Sequence, residues 1–228
     1  MVESPVPNRT VTLTGAAVFA ALAALLTLAR AQIPFPPIPY LQVDFAEIPI
    51  LMAFFLFGPV SACIAAVIQW IFLNVQGGDA PVGPMIKFMA EFSTIAGLWM
   101  GNAFYRRVSR YRISGRAALS VMLSAGVLLR VLAMTVANYL VLVYVAPLFL
   151  GVDYLGFARA ALEQFTGWRF QSDEAVLVYT LVFTALYNVV NLLVAAVPAG
   201  FIVSPIAHSF KAMTSIDAWL ARNLRSSN

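Results

Sequence analysis

From Ile48 to Gly78 the chain carries no charged side chain. As a helix, at about 1.5 Å per residue, that run would exceed the ~30 Å hydrocarbon core of a bilayer. Two further runs behave alike: Val11 to Ala29 is charge-free, and Ala117 to Val152 is interrupted only by Arg130. Charged residues make up 11% of the chain and hydrophobic ones 61%, whereas a soluble domain is roughly a quarter charged. Water would not hold such a surface. The sequence is that of an integral membrane protein.

The punctuation of these runs sets the predicted spans. Pro34, Pro36, Pro37 and Pro39 are too dense for a helix interior and make a loop after a first span at 11–30. Gly58-Pro59 divides the long run into a short span at 46–57 and another at 60–75. The glycines and prolines of Gln76–Pro84 form the next turn, followed by a span at 85–105. A long or tilted fifth helix at 117–146 stops at Pro147. A connection with a short amphipathic helix around Tyr154–Phe165 leads to the sixth span at 175–203, kinked or frayed at Pro198 and Gly200. The expected fold is therefore all-α, one domain over 1–228 with six transmembrane helices and a tail at 208–228. Ala29-Arg30-Ala31 has the form of a signal-cleavage site. The run before it is longer than a usual signal core and its flank is weakly basic, so the helix is read as retained.

Basic residues orient the chain. Arg106, Arg107, Arg110, Arg112 and Arg116 crowd the loop between the fourth and fifth spans, and Lys211, Arg222 and Arg225 lie in the tail. The opposite loops hold Asp44, Glu47, Asp79, Asp153, Glu163, Asp173 and Glu174 against Arg159 and Arg169. Both termini are thus expected in the cytoplasm, with the basic rim facing anionic lipid rather than nucleic acid. Several chemistries are disfavoured. Cys63 is the lone cysteine and His208 the lone histidine, so disulfides, CxxC metal sites and His clusters are not expected. Neither Lys87 nor Lys211 follows a phosphate-binding glycine loop. No catalytic residue, metal site or bound cofactor is expected.

The stretch from Pro34 through Tyr40, Asp44 and Glu47 to Pro49, followed by Phe55-Leu-Phe-Gly-Pro59, resembles the first loop and second helix of the substrate-binding S components of energy-coupling factor (ECF) vitamin transporters. The riboflavin-specific RibU type is the nearest. Gln69-Trp70 with Asn74, Gly83-Pro84-Met85 with Phe88, Arg130 with Met134 and Asn138-Tyr139, and Asn188 with Asn191 extend the resemblance over most of the chain. Asn191 stands where a longer polar residue is usual, and Lys87 where an asparagine is common. The resemblance implies a membrane-embedded receptor for a vitamin, riboflavin before other small heterocycles. It implies partnership with a transmembrane coupling subunit and two ATPases, and localisation in the cell membrane.

Asn138, Asn188 and Asn191 lie within apolar helices, where an amide without partners costs several kcal/mol. Asn188 and Asn191 share a helix face. Either they read the polar edge of a planar ligand or they bond between helices, at about 0.6 kcal/mol apiece. Tyr40, Phe45, Trp70 and Tyr139 can bound a flat ring beside Leu41 and Gln42, or populate the interfacial belt. Glu91 and Arg130 are intramembrane charges, expected to pair behind the site, with Lys87–Glu91 as the local alternative. Asp44 and Glu47 are expected to cap the second helix. Ala17 and Ala21 give the first span a small face, which the resemblance makes the docking surface for the coupling subunit and ordinary packing would equally explain. The rival readings are another vitamin, an intramembrane enzyme, or a scaffolding subunit.

Overall fold

The computed structural model describes residues 9–76, 81–108, 115–214 and 219. Arg110, Arg112, Gly77, Gly78, Asp79, Arg222 and Arg225, which figured in the predicted turn and basic rim, lie outside them. Helix α1 (Arg9–Leu28) runs into an antiparallel hairpin of β1 (Gln32–Phe35) and β2 (Ile38–Asp44). Then follow α2 (Glu47–Phe57), α3 (Pro59–Gln76), α4 (Val82–Val108), α5 (Gly115–Leu140) with a π-helical extension (Val141–Leu150), α6 (Tyr154–Thr166) and α7 (Asp173–Thr214). Among the described residues four helical segments are long and apolar enough to cross a bilayer: Arg9–Leu28, Pro59–Gln76, Ala117–Leu148 and Asp173–Ile206. The chain is therefore a mostly helical membrane protein. At about 16 Å, α2 reaches only halfway across the hydrocarbon core.

Three expectations are corrected. The proline-rich stretch is a hairpin, with Gln32 opposite Asp44 and Pro34 opposite Gln42. Each strand of a two-stranded sheet has a free edge, where a missing N–H breaks no ladder bond. The fifth helix passes Pro147 and ends at Leu150; the wider π-turn relieves the clash between a proline ring and the preceding turn. The last helix does not fray at Pro198 and Gly200 but continues through Pro198 and Pro205 to Thr214. The break at Gly58 holds: it caps α2 with φ of 101°, a value that glycine adopts without strain.

The core centres on α2, apolar on every side and buried almost throughout. Ile50, Phe54 and Phe55 pack with Ala20 and Ala23 of α1, Ala62 and Ala66 of α3, Leu98 of α4 and Leu192 of α7. A second cluster, Phe35 and Ile38 with Ala158, Leu162, Phe170 and Val176, fastens the hairpin to α6 and the start of α7. Hairpin and α6 thereby form a cap at one end of the helices.

Helices α4 and α5 meet backbone to backbone. A Cβ at Gly97 would lie 2.6 Å from the Ala125 carbonyl oxygen, and one at Gly101 2.8 Å from Met122 Cα. Small residues four apart permit such an approach. Gly97→Ala is expected to destabilise by about 1–3 kcal/mol through overpacking, read as a lower unfolding temperature in detergent. Gly200→Ala is the control, since a Cβ there meets nothing within 4 Å. Equal behaviour of the two variants would remove this account of the seam.

Candidate functional site

Beneath the hairpin lies a cavity of ≈ 210 Å³. Its walls come from the hairpin (Gln32, Tyr40, Leu41, Gln42, Asp44), α2 (Glu47), α4 (Ile86, Lys87, Ala90), α5 (Arg130, Met134, Asn138) and α7 (Tyr187, Asn188). The floor is a buried polar network. Glu47 grips the Arg130 guanidinium with both oxygens, Nη1 to Oε2 at 2.7 Å and Nη2 to Oε1 at 2.9 Å. Such a fork fixes direction as well as charge. Arg130 Nε donates to Asn188 Oδ1 at 3.0 Å, and Nη1 also to Thr94 Oγ1 at 3.1 Å. Arg130 is 1% exposed.

The network continues into the cap. Asn191 Nδ2 donates to Glu47 Oε1 at 2.8 Å, and its Oδ1 accepts from the Asp44 backbone N–H at 3.0 Å. Asp44 Oδ1 accepts from the Ala46 N–H at 2.8 Å. Asp44 Oδ2 accepts from Gln32 Nε2 at 3.0 Å and pairs with Lys87. The Gln69 amide, oriented to satisfy both neighbours, donates to Glu91 Oε1 at 3.0 Å and accepts from Lys87 Nζ at 2.9 Å. Tyr187 Oη donates to the Gln42 carbonyl at 2.7 Å, tying α7 to β2. At the rim Tyr40 lies against Tyr154, ring centroids 5.9 Å apart. Partial burial, then the neighbouring Tyr154, pushes its phenol up to about 12, so it stays a neutral donor at physiological pH.

The predicted residues divide. Tyr40, Leu41, Gln42, Asn138 and Asn188 wall the cavity; Phe45, Trp70, Tyr139 and Asn191 do not. Asn191 instead bonds between elements, the alternative weighed for it. Trp70 packs on Phe88 with centroids 5.7 Å apart. Tyr139 turns outward to Tyr144, and Phe45 sits in the β2–α2 turn with its N–H on the Ala31 carbonyl. Arg130 pairs with Glu47, not Glu91, which corrects the expected ion pair; Lys87 pairs with Asp44 rather than with Glu91. Glu47 is likewise no simple cap: it lies in the first turn of α2, with its carboxylate committed to Arg130 and Asn191.

Gln32, Ile86, Lys87 and Tyr187 belong to the walls unforeseen. Lys87 had a signal, because an ionisable residue at membrane depth is a site residue by default. Tyr187 had a weaker one, since it stands four before Asn191 on the same face. Ala17 and Ala21 are exposed, whereas Ala16, Ala20 and Ala23 are buried.

Comparison with known proteins places residues 11–208 in a family described as ECF transporter, substrate-specific component. The chain is 41% identical over 73 residues to the riboflavin transporter RibU of Staphylococcus aureus (strain TCH60), a match covering 32% of this chain and 38% of that one. It is 28% identical over 114 residues to the riboflavin transporter FmnP of Bacillus subtilis (strain 168), covering 48% and 55%. The chain thus spans well under two thirds of the length of either relative. A solved structure reported as the S component of a bacterial ECF transporter superposes with a TM-score of 0.64 at 21% identity, covering 90% of this chain and 99% of that one.

Proposed function

The chain belongs to the family of substrate-specific components of ECF transporters, and from that premise we propose that it is a membrane receptor for riboflavin, which it hands to an ATP-driven module for uptake. The family is one of transport components, not of enzymes. One observation carries the choice of ligand: the charges of the cavity wall cancel in pairs, Asp44 with Lys87 and Glu47 with Arg130. A paired wall has no spare charge for an ionic vitamin and suits an uncharged one. Riboflavin is uncharged, flat and edged with acceptors and donors. Aliphatic walls from Leu41, Ile86 and Met134 suit its rings, with Tyr40, Gln42, Asn138 and Asn188 orienting its polar groups.

In this reading α1 to α5 and α7 sit in the cell membrane as six helices, with the hairpin and α6 outside and both termini in the cytoplasm. The exposed Ala17 and Ala21 meet the coupling subunit, which the two ATPases drive. At ≈ 210 Å³ the cavity is smaller than the ~300–1,000 Å³ of drug-sized ligand sites, so capture requires the hairpin to yield. The test is direct. The purified full chain in detergent is expected to quench riboflavin fluorescence with a dissociation constant below ~1 μM, about −8 kcal/mol. No quenching at any soluble riboflavin concentration would end the proposal. Co-purification of a different uncharged heterocycle, identified by mass spectrometry, would establish the second reading, which the added donor at Lys87 favours.

A further inference from the structure

The two cations of the cavity wall are used differently. Every nitrogen of the Arg130 guanidinium has a protein acceptor: Asn188 for Nε, Glu47 and Thr94 for Nη1, Glu47 for Nη2. Its side chain is 1% exposed, and it holds four helices together. Lys87 carries three N–H donors and no acceptor. Among the described residues one donor goes to Asp44 on the hairpin and one to the Gln69 amide oxygen on α3. Glu91, accepting from the other end of Gln69, fixes that amide with its oxygen toward Lys87. The third donor is left over, on a side chain that walls the cavity and is 17% exposed.

We propose that Lys87 is a specificity-determining residue of this cavity: its third N–H donates to a carbonyl or ring-nitrogen acceptor on the ligand, while Asp44 balances the charge. This rests on the riboflavin-receptor reading and sharpens it. The ligand class is an uncharged heterocycle that turns an acceptor edge toward α4. A ligand turning an N–H or amino group there would face a donor with no acceptor to offer, and unpaired polar groups discriminate strongly. A hydrogen bond from a charged donor is roughly twice as strong as a neutral one. Because Asp44 belongs to the hairpin, the same ammonium touches both ligand and cap.

Removing Lys87 alone would leave Asp44 buried without a counterion, so the informative variant removes both charges. The purified full chain carrying Lys87→Met with Asp44→Asn is titrated with riboflavin, and its unfolding temperature is measured alongside. The expected result is near-parental unfolding with riboflavin bound roughly 10- to 100-fold more weakly. If the double variant does not fold, Lys87→Arg replaces it: the charge opposite Asp44 remains, but the donors are repositioned, and affinity again falls at least about tenfold. Unchanged affinity in a folded variant overturns the role of Lys87 while leaving the receptor reading intact. An unaltered chain that takes no riboflavin fails the receptor reading itself, and the Lys87 assignment falls with it.

Discussion

Arg130→Met, made alone, is expected to cost about 3–5 kcal/mol and to abolish riboflavin binding. The substitution removes the guanidinium from beneath Glu47, which is 3% exposed and would keep only the Asn191 amide as a donor among the contacts described. It also frees the oxygens of Asn188 and Thr94 at the floor of the cavity. Most of that loss is the cost of a buried carboxylate without its counterion, not the net worth of the pair. Replacing both partners of a buried pair with groups of similar volume is often neutral. Arg130→Met with Glu47→Gln is therefore expected to recover most of the stability, because the neutral amide so introduced can still accept from Asn191. Arg130→Met with Glu91→Gln is expected to recover none. Unfolding temperatures of these three variants and of Glu47→Gln and Glu91→Gln alone, closed as two double-mutant cycles, decide which acid is the partner. Rescue through Glu91 rather than Glu47 would refute the geometry of the network.

That choice of partner marks where the sequence stops being informative. Depth and hydropathy place Arg130, Glu91 and Lys87 within apolar stretches, and the requirement that charges at such depth be paired follows from the bilayer alone. Which carboxylate meets Arg130 depends on the rotation of α2 about its axis and on where the chain emerges from the cap. Glu47 directly follows the short turn between β2 and α2, so the register of β2 sets the direction in which α2 begins and the side chain points toward α5. A reading that takes Pro34–Pro39 as irregular loop has no means of aiming Glu47, and treats it as a helix-capping acid. The same ignorance displaced Trp70: periodicity places it on α3, yet its rotation toward Phe88 follows from how α3 crosses α4. What was legible are features with a local cause: the break at Gly58-Pro59, the short helix at Tyr154, and the approximate starts of the apolar helices. Asn188 and Asn191 both follow from the rule that an amide in an apolar helix has few uses: both bond between elements, and Asn188 also lines the cavity.

A large effect on transport that leaves ligand affinity untouched is expected far from the cavity. Helix α1 buries Gly15, Ala16, Phe19, Ala20, Ala23 and Thr27 against the rest of the chain and presents Ala17 and Ala21 on its outer side. These two are one turn apart and flanked by exposed Val18, Leu22 and Leu25. Methyl side chains between larger ones form a shallow groove, and a second helix can settle there at the close end of the 8–10 Å interaxial range. In the proposed assembly that helix belongs to the coupling subunit. An indole at either position fills the groove and holds the partner away, while about 16 Å of helix separates Ala17 from the end of α1, where the cap begins. Ala17→Trp and Ala21→Trp are thus expected to cut riboflavin uptake by roughly 100-fold, the yield of losing about 2.7 kcal/mol of association, and to leave riboflavin affinity of the purified chain unchanged. Uptake is measured in cells supplying the coupling subunit and ATPases, affinity by fluorescence quenching. The separation between the two readouts is what matters. Loss of both would mean that α1 supports the cavity through packing alone, and retention of both would place the coupling surface on another helix.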